Sequence, residues 1–199
     1  MTLPPERAAR GVPDAWRGEL TGAERSLRRV VAAEWQLAAT FFAASAPTWT
    51  GGEFFKPQDF ANKHAATLRA IAAELDAPYA SLPAAVERVR TLEPYDGPGL
   101  RELLYNFIDD QLRATGAGYH VYAAKAARLA DAEGLRRLTL LAAMLRERGV
   151  PAAGVPSALQ TAGLRDPYTG APFGWEAGSA SLVFVGLEPG ERGRHRLPY

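Results

Sequence analysis

Residues 164–173 read Leu164-Arg-Asp-Pro-Tyr-Thr-Gly-Ala-Pro-Phe173, and residues 181–187 read Ser181-Leu-Val-Phe-Val-Gly-Leu187. The first stretch is turn chemistry. A carboxylate at Asp166 can accept the amides of the turn that follows, Pro167 fixes φ at the second turn position, and Gly170 permits positive φ. The second stretch is a β-branched and aromatic run bounded by small residues. With Phe173–Glu176 ahead of it and Ala177-Gly-Ser-Ala180 between, it predicts a β-hairpin led in by a rigid turn. The remainder, Glu188–Tyr199, is polar and reads as a loose tail.

Upstream of the turn the pattern is helical. Thr21-Gly-Ala-Glu24 has the form of a capping box, and Leu27, Val31, Trp35, Ala38 and Phe42 follow at helical spacing, predicting a helix over 22–45 that ends before Pro47 and Gly51-Gly52. Pro57 suits the first turn of a second helix, with Phe60, His64, Leu68, Ile71 and Leu75 on one face and Pro78 closing it. Ser81 and Pro83 open a short third helix carrying Leu82, Val86 and Val89. A fourth carries Leu100, Leu104, Phe107, Ile108 and Leu112. The longest helical stretch runs from Tyr119 to Arg148, with Gly149 as a natural C′ residue and Gly134 inside it marking a kink or a change of face. Beyond Gly149, Ser157–Ala162 is long enough for one capped turn. The expected fold is therefore mainly α: a multi-helix bundle over 19–149, a flexible tail over 1–18, and a C-terminal loop and small β-hairpin over 150–199 packed on the bundle.

Composition narrows function by exclusion. The 199 residues carry 23 basic and 22 acidic side chains, so the basic excess that marks nucleic-acid binders is missing. Alanine fills 38 positions and Arg outnumbers Lys 20 to 3, both favouring helix. Without cysteine there is no disulfide framework, thiol nucleophile or thiolate metal site.

Catalytic signatures are equally sparse. No Glu lies three residues before His64, His120 or His195, and there is no His-Glu-x-x-His, G-x-S-x-G or P-loop. Gly116-Ala-Gly118 follows a helix and lacks a third glycine, a poor dinucleotide site. No catalytic residue, metal site or cofactor is expected. His64, on an apolar stripe, reads as a core histidine, with a catalytic base as the competing reading. His120, beside Tyr119 and Tyr122, borders a candidate pocket. His195 reads as part of a solvated basic tail. Asp109 and Asp110 point about 100° apart on a helix and do not face each other. The four tryptophans, Trp16, Trp35, Trp49 and Trp175, read as packing anchors. Trp49 sits in a Gly- and Pro-rich loop and is the one expected to bind something. The candidate binding residues are Trp49, Tyr119, His120 and Tyr122; Asp166, Pro167 and Gly170 are structural.

The order of amphipathic helix, Pro-rich loop, Asp-Pro-aromatic-Thr-Gly-x-Pro-aromatic turn and Leu-Val-Phe-Val-Gly strand resembles the C-terminal part of type II secretion pseudopilins. It also resembles a set of uncharacterised single-pass, envelope-associated bacterial proteins, and there the similarity reaches back through Phe55-Lys56-Pro57. Its clearest portion spans Leu135–Leu187. Two departures limit what carries over. The chain does not begin with the apolar polymerising helix of pseudopilins. Where they hold an Asp-rich calcium loop it has Gly186-Leu-Glu-Pro-Gly-Glu-Arg-Gly193, and Glu188 and Glu191 alone make a poor cage for calcium. The resemblance implies an exported domain tethered to the inner membrane by an upstream segment.

Three readings follow. The first is a non-enzymatic, periplasmic or inner-membrane-tethered scaffold with a protein partner in the envelope, linked to a secretion or pilus-like system. The second is a small-molecule-binding or enzymatic bundle with a site near His64 and His120, drawing on Tyr119, Tyr122 and Asp109. The third is a cytoplasmic partner-binding bundle whose hairpin edge is open to strand addition.

Overall fold

A computed structural model describes residues 21–45, 57–92 and 119–199. The tail over 1–18, Trp16, Trp49, the expected helix over 100–112 with Asp109 and Asp110, and Gly116–Gly118 lie outside the described residues. The fold is mainly α with a small C-terminal antiparallel sheet. The helices are α1 (Gly22–Arg25), α2 (Arg28–Ser45), α3 (Pro57–Leu75), α4 (Leu82–Arg90), α5 (His120–Glu147) and α6 (Val155–Thr161). The strands are β1 (Gly174–Glu176), β2 (Ser181–Val185) and β3 (Arg194–Pro198).

The capping box at α1 is formed. Glu24 N donates to Thr21 Oγ1 at 3.2 Å and Thr21 N to Glu24 Oε2 at 2.8 Å, so each residue satisfies the other's amide. The single helix expected over 22–45 is interrupted at Ser26-Leu27, where the Ser26 hydroxyl accepts the amide of Arg28 at 3.3 Å and restarts the helix as α2.

The described residues group into two compact units. The helical unit holds 26–45, 57–77, 84–92 and 119–126. The sheet unit holds 21–25, 78–83 and 127–199. The chain passes between the units at 25/26, 77/78, 83/84 and, within α5, between Ala126 and Ala127.

In the helical unit, α2 and α3 form an antiparallel pair. Trp35 donates its indole N–H to the Ala61 carbonyl at 3.1 Å, and Arg28 meets Asp76 at 2.6 Å. Leu27, Val31, Leu68, Ile71, Leu75, Val86 and Val89 are buried, so Leu68, Ile71 and Leu75 of the stripe expected on α3 lie inside, while His64 is half-buried.

In the sheet unit, α5 ends in a Schellman motif. Val150 N donates to Leu145 O at 3.1 Å and Gly149 N to Arg146 O at 2.9 Å, with Gly149 at φ +64°. Helix α5 runs through Gly134 without interruption. What Gly134 provides is close approach: a Cβ there would fall inside the Phe184 ring.

The sheet order is β1-β2-β3, all antiparallel. Leu182 and Phe184 of β2 share a face with their register partners Trp175, Leu197 and His195, and Leu182 and Phe184 are fully buried with Leu138, Leu141 and Val155. The opposite face carries Glu176, Arg194 and Arg196. Arg194 and Arg196 each reach Glu176 at 3.0 Å, and Arg196 reaches Glu191 at 3.1 Å.

Strand β3 corrects the reading of Glu188–Tyr199 as a loose tail. Arg194-His-Arg-Leu-Pro198 alternates with period two, arginines outward and His195 and Leu197 inward. The chain end is fixed too: Tyr199 N donates to Ala180 O at 2.9 Å and its hydroxyl to Val150 O at 2.7 Å. The strand also occupies one edge of the hairpin that strand addition would have used.

Candidate functional site

In the sheet unit the polar chemistry converges on Asp131, a residue of α5 that is 3% exposed. Its carboxylate accepts the Tyr168 hydroxyl at 2.6 Å and the Leu187 amide at 2.9 and 3.1 Å through its two oxygens. A Cβ at Gly186 would fall on that carboxylate, so the glycine ending the Leu-Val-Phe-Val-Gly run lets the backbone reach it. His195 Nε2 lies 3.9 Å from Asp131 Oδ2, beyond hydrogen-bonding distance, and has no hydrogen-bond partner among the described residues. The imidazole instead stacks on Phe184 at 5.7 Å and 14°. Phe184 stacks on Tyr168 at 5.8 Å, and Tyr168 lies 6.2 Å from Tyr79. Burial, and then the Asp131 carboxylate that takes its hydrogen bond, push the Tyr168 hydroxyl far up, which keeps it a donor.

The turn ahead of the sheet is held by Asp166. Its carboxylate accepts the amides of Tyr168 at 2.7 Å and Thr169 at 3.1 Å, and its carbonyl accepts the Gly170 amide at 2.9 Å. Gly170 sits at φ +68°, and Pro167 is buried. This turn aims Tyr168 at Asp131.

Nearby on α5, Glu133 is 0% exposed. It accepts from Arg136 Nε and Nη2, each at 2.7 Å, and from Arg137 Nε at 2.7 Å. Arg137 also donates to the Arg165 carbonyl at 3.3 Å. A buried carboxylate between two guanidiniums meets the geometric condition under which such ions are tolerated.

The helical unit has a second polar cluster. Glu34 of α2 accepts Lys125 Nζ at 2.6 Å and the hydroxyl of Tyr122. Burial and then the Glu34 carboxylate push the Tyr122 hydroxyl up. At Glu34 burial acts upward, but the hydrogen bonds from Lys125 and Tyr122 and the nearby charges of Lys125 and His64 leave its carboxyl below the ordinary value. Of the candidate binding residues, Tyr122 therefore engages Glu34, Tyr119 is buried and His120 is exposed. His64 is half-buried. Among the described residues no group of three or more His, Asp or Glu is placed to hold a metal ion, and no helix is long and apolar enough to cross a membrane.

Sequence reasoning missed Asp131, Glu133, Glu34 and Lys125. Asp131 lies between Ala130 and Ala132 like any helical acid, and its partners are 37 and 56 residues away. Compared with protein-family models, curated proteins and solved structures, the chain matches none.

Proposed function

We propose that the chain is a non-enzymatic, envelope-associated interaction domain, periplasmic and tethered to the inner membrane through a segment upstream, serving as a scaffold in a secretion or pilus-like assembly. The observation that carries this reading is the use made of the sheet unit's buried acids. Asp131 ties the Tyr168 turn and the β2–β3 connection to α5, and Glu133 is saturated by two arginines of its own helix. Buried polar groups satisfied in this way fix a shape and leave no reactive atom exposed to a substrate. The long helix followed by an Asp-Pro-aromatic-Thr-Gly turn and a small sheet agrees with the pilin-like resemblance. The test is topological. The protein, tagged at its C-terminus and expressed from its native locus, is expected to be protected from protease in whole cells and cleaved in spheroplasts. Cleavage only after lysis would overturn the reading.

One observation favours a ligand-binding alternative in the helical unit: Tyr122, Glu34 and Lys125 form a connected polar cluster with the charge of His64 nearby. A small-molecule extract that shifts the NMR signals of Glu34, Tyr122 and His64 would support it, and unshifted spectra would exclude it.

A further inference from the structure

The surface of the helical unit carries an open trough of about 520 Å³ between α2 and α3, lined by Arg28, Val31, Ala32 and Trp35 on one side and Ala65, Leu68, Arg69 and Ala72 on the other. We propose that this trough is the docking site for an amphipathic helix of a protein partner, one that bears carboxylates along the borders of its apolar stripe. The proposal rests on the interaction-domain reading and adds the surface and the chemistry of the partner.

Helix α2 is the first argument. Val31, Ala32 and Trp35 form an apolar stripe along its trough-facing side. Yet Trp35 is 36% exposed. Shape is the second. The α2 side of the trough spans Arg28 to Trp35, about 10 Å or two helical turns. Ala32, Ala65 and Ala72 keep the floor low enough for a third helix to seat its ridge between the two. Trp35 forms one end, its ring fixed by the indole hydrogen bond to Ala61. An acyl chain calls for a more enclosed site than this trough.

Charge is the third argument and selects the partner's sign. Among the described residues the lining holds two guanidiniums and no acid. Arg28 is positioned by Asp76, while Arg69 is exposed and makes no ion pair among the described residues. Apolar contact supplies affinity in such a groove, and the cations set orientation and reject a basic partner.

The chain has no cysteine, so a single Ala32→Cys substitution in the full chain can carry an environment-sensitive fluorophore in the trough. The probes are two series of 16-residue helical peptides with the same leucine stripe, one bordered by Glu and one by Lys. The Glu series is expected to bind saturably, and Arg69→Glu to weaken it about tenfold and invert the preference toward the Lys series. Arg69 is exposed, so this variant is expected to melt at the wild-type temperature, which circular dichroism checks. Equal binding of both series, no saturable binding, or indifference to Arg69→Glu would overturn the proposal. So would displacement of the peptide by oleate vesicles, or a dimer that occupies the trough and is abolished by Ala32→Glu. A protease-protection result against the periplasm would sink the localisation reading while leaving this docking site standing. Failure of the peptides, with the protein still protected in whole cells, would do the reverse.

Discussion

Asp131 shows what a single carboxylate does when it is buried without a guanidinium beside it. It accepts one hydroxyl and one amide, and removing it takes the acceptor from the buried Tyr168 hydroxyl and from the half-buried Leu187 amide. Asp131→Ala is therefore expected to cost about 2–4 kcal/mol of unfolding free energy in urea titration. Tyr168→Phe removes the donor and is expected to cost about 1–2 kcal/mol. The tyrosine also carries a pH dependence whose sign is fixed. Its folded hydroxyl is raised by burial and by Asp131, whereas in the unfolded chain it ionises near its ordinary value of about 10. The contribution is thus complete below about pH 10 and lost as pH rises above it, because only the unfolded chain releases the proton. Stability measured from pH 8 to 11 is expected to fall more steeply in the wild type than in Tyr168→Phe. Parallel curves would show that the hydrogen bond contributes nothing.

At the scale of elements, Gly134 sets two effects against each other. Alanine favours a helix interior over glycine by about 1 kcal/mol, but its methyl group would occupy the space of the Phe184 ring. That ring is hemmed in by Tyr168 at 5.8 Å, Phe173 at 6.0 Å and His195 at 5.7 Å, so it has nowhere to move. Overpacking costs of about 1–3 kcal/mol then prevail. Gly134→Ala is expected to lower the melting temperature in the wild type and raise it in a Phe184→Leu background; the same sign in both would refute the packing account. The sequence made the elements legible where a period or a turn signature was strong. These include the stripe of α3, the run of β2, and the Asp166–Gly170 turn with its carboxylate on the following amides. Strand β3 was hidden because its period-two pattern is written in arginine and histidine, and the outward arginines are matched by Glu176 and Glu191 from elsewhere in the sheet unit. The polar clusters were hidden for a related reason: Asp131 and Glu34 gain their meaning from partners 37 to 91 residues distant.

For the whole molecule, each compact unit buries its own core, and each contains a reporter tryptophan: Trp35 in the helical unit and Trp175, edge-on to Tyr199 at 5.9 Å, in the sheet unit. In a background with Trp16 and Trp49 changed to Phe, Asp131→Ala is expected to shift the unfolding midpoint seen by Trp175 and leave that seen by Trp35 in place. Equal shifts at both probes would mean that the chain unfolds as one cooperative block. The outer edge of β3 bears on how copies of this chain behave at high concentration. By the antiparallel alternation, Arg194, Arg196 and Pro198 turn their backbone groups away from β2. Pro198 has no N–H to offer, its carbonyl is already taken by Arg146 at 2.7 Å, and the Arg194 amide is donated to Glu191. A fibril needs an unbroken row of vacant donors and acceptors on which to template. This rim breaks that row, so the β3 edge offers no continuous template on which another strand could stack.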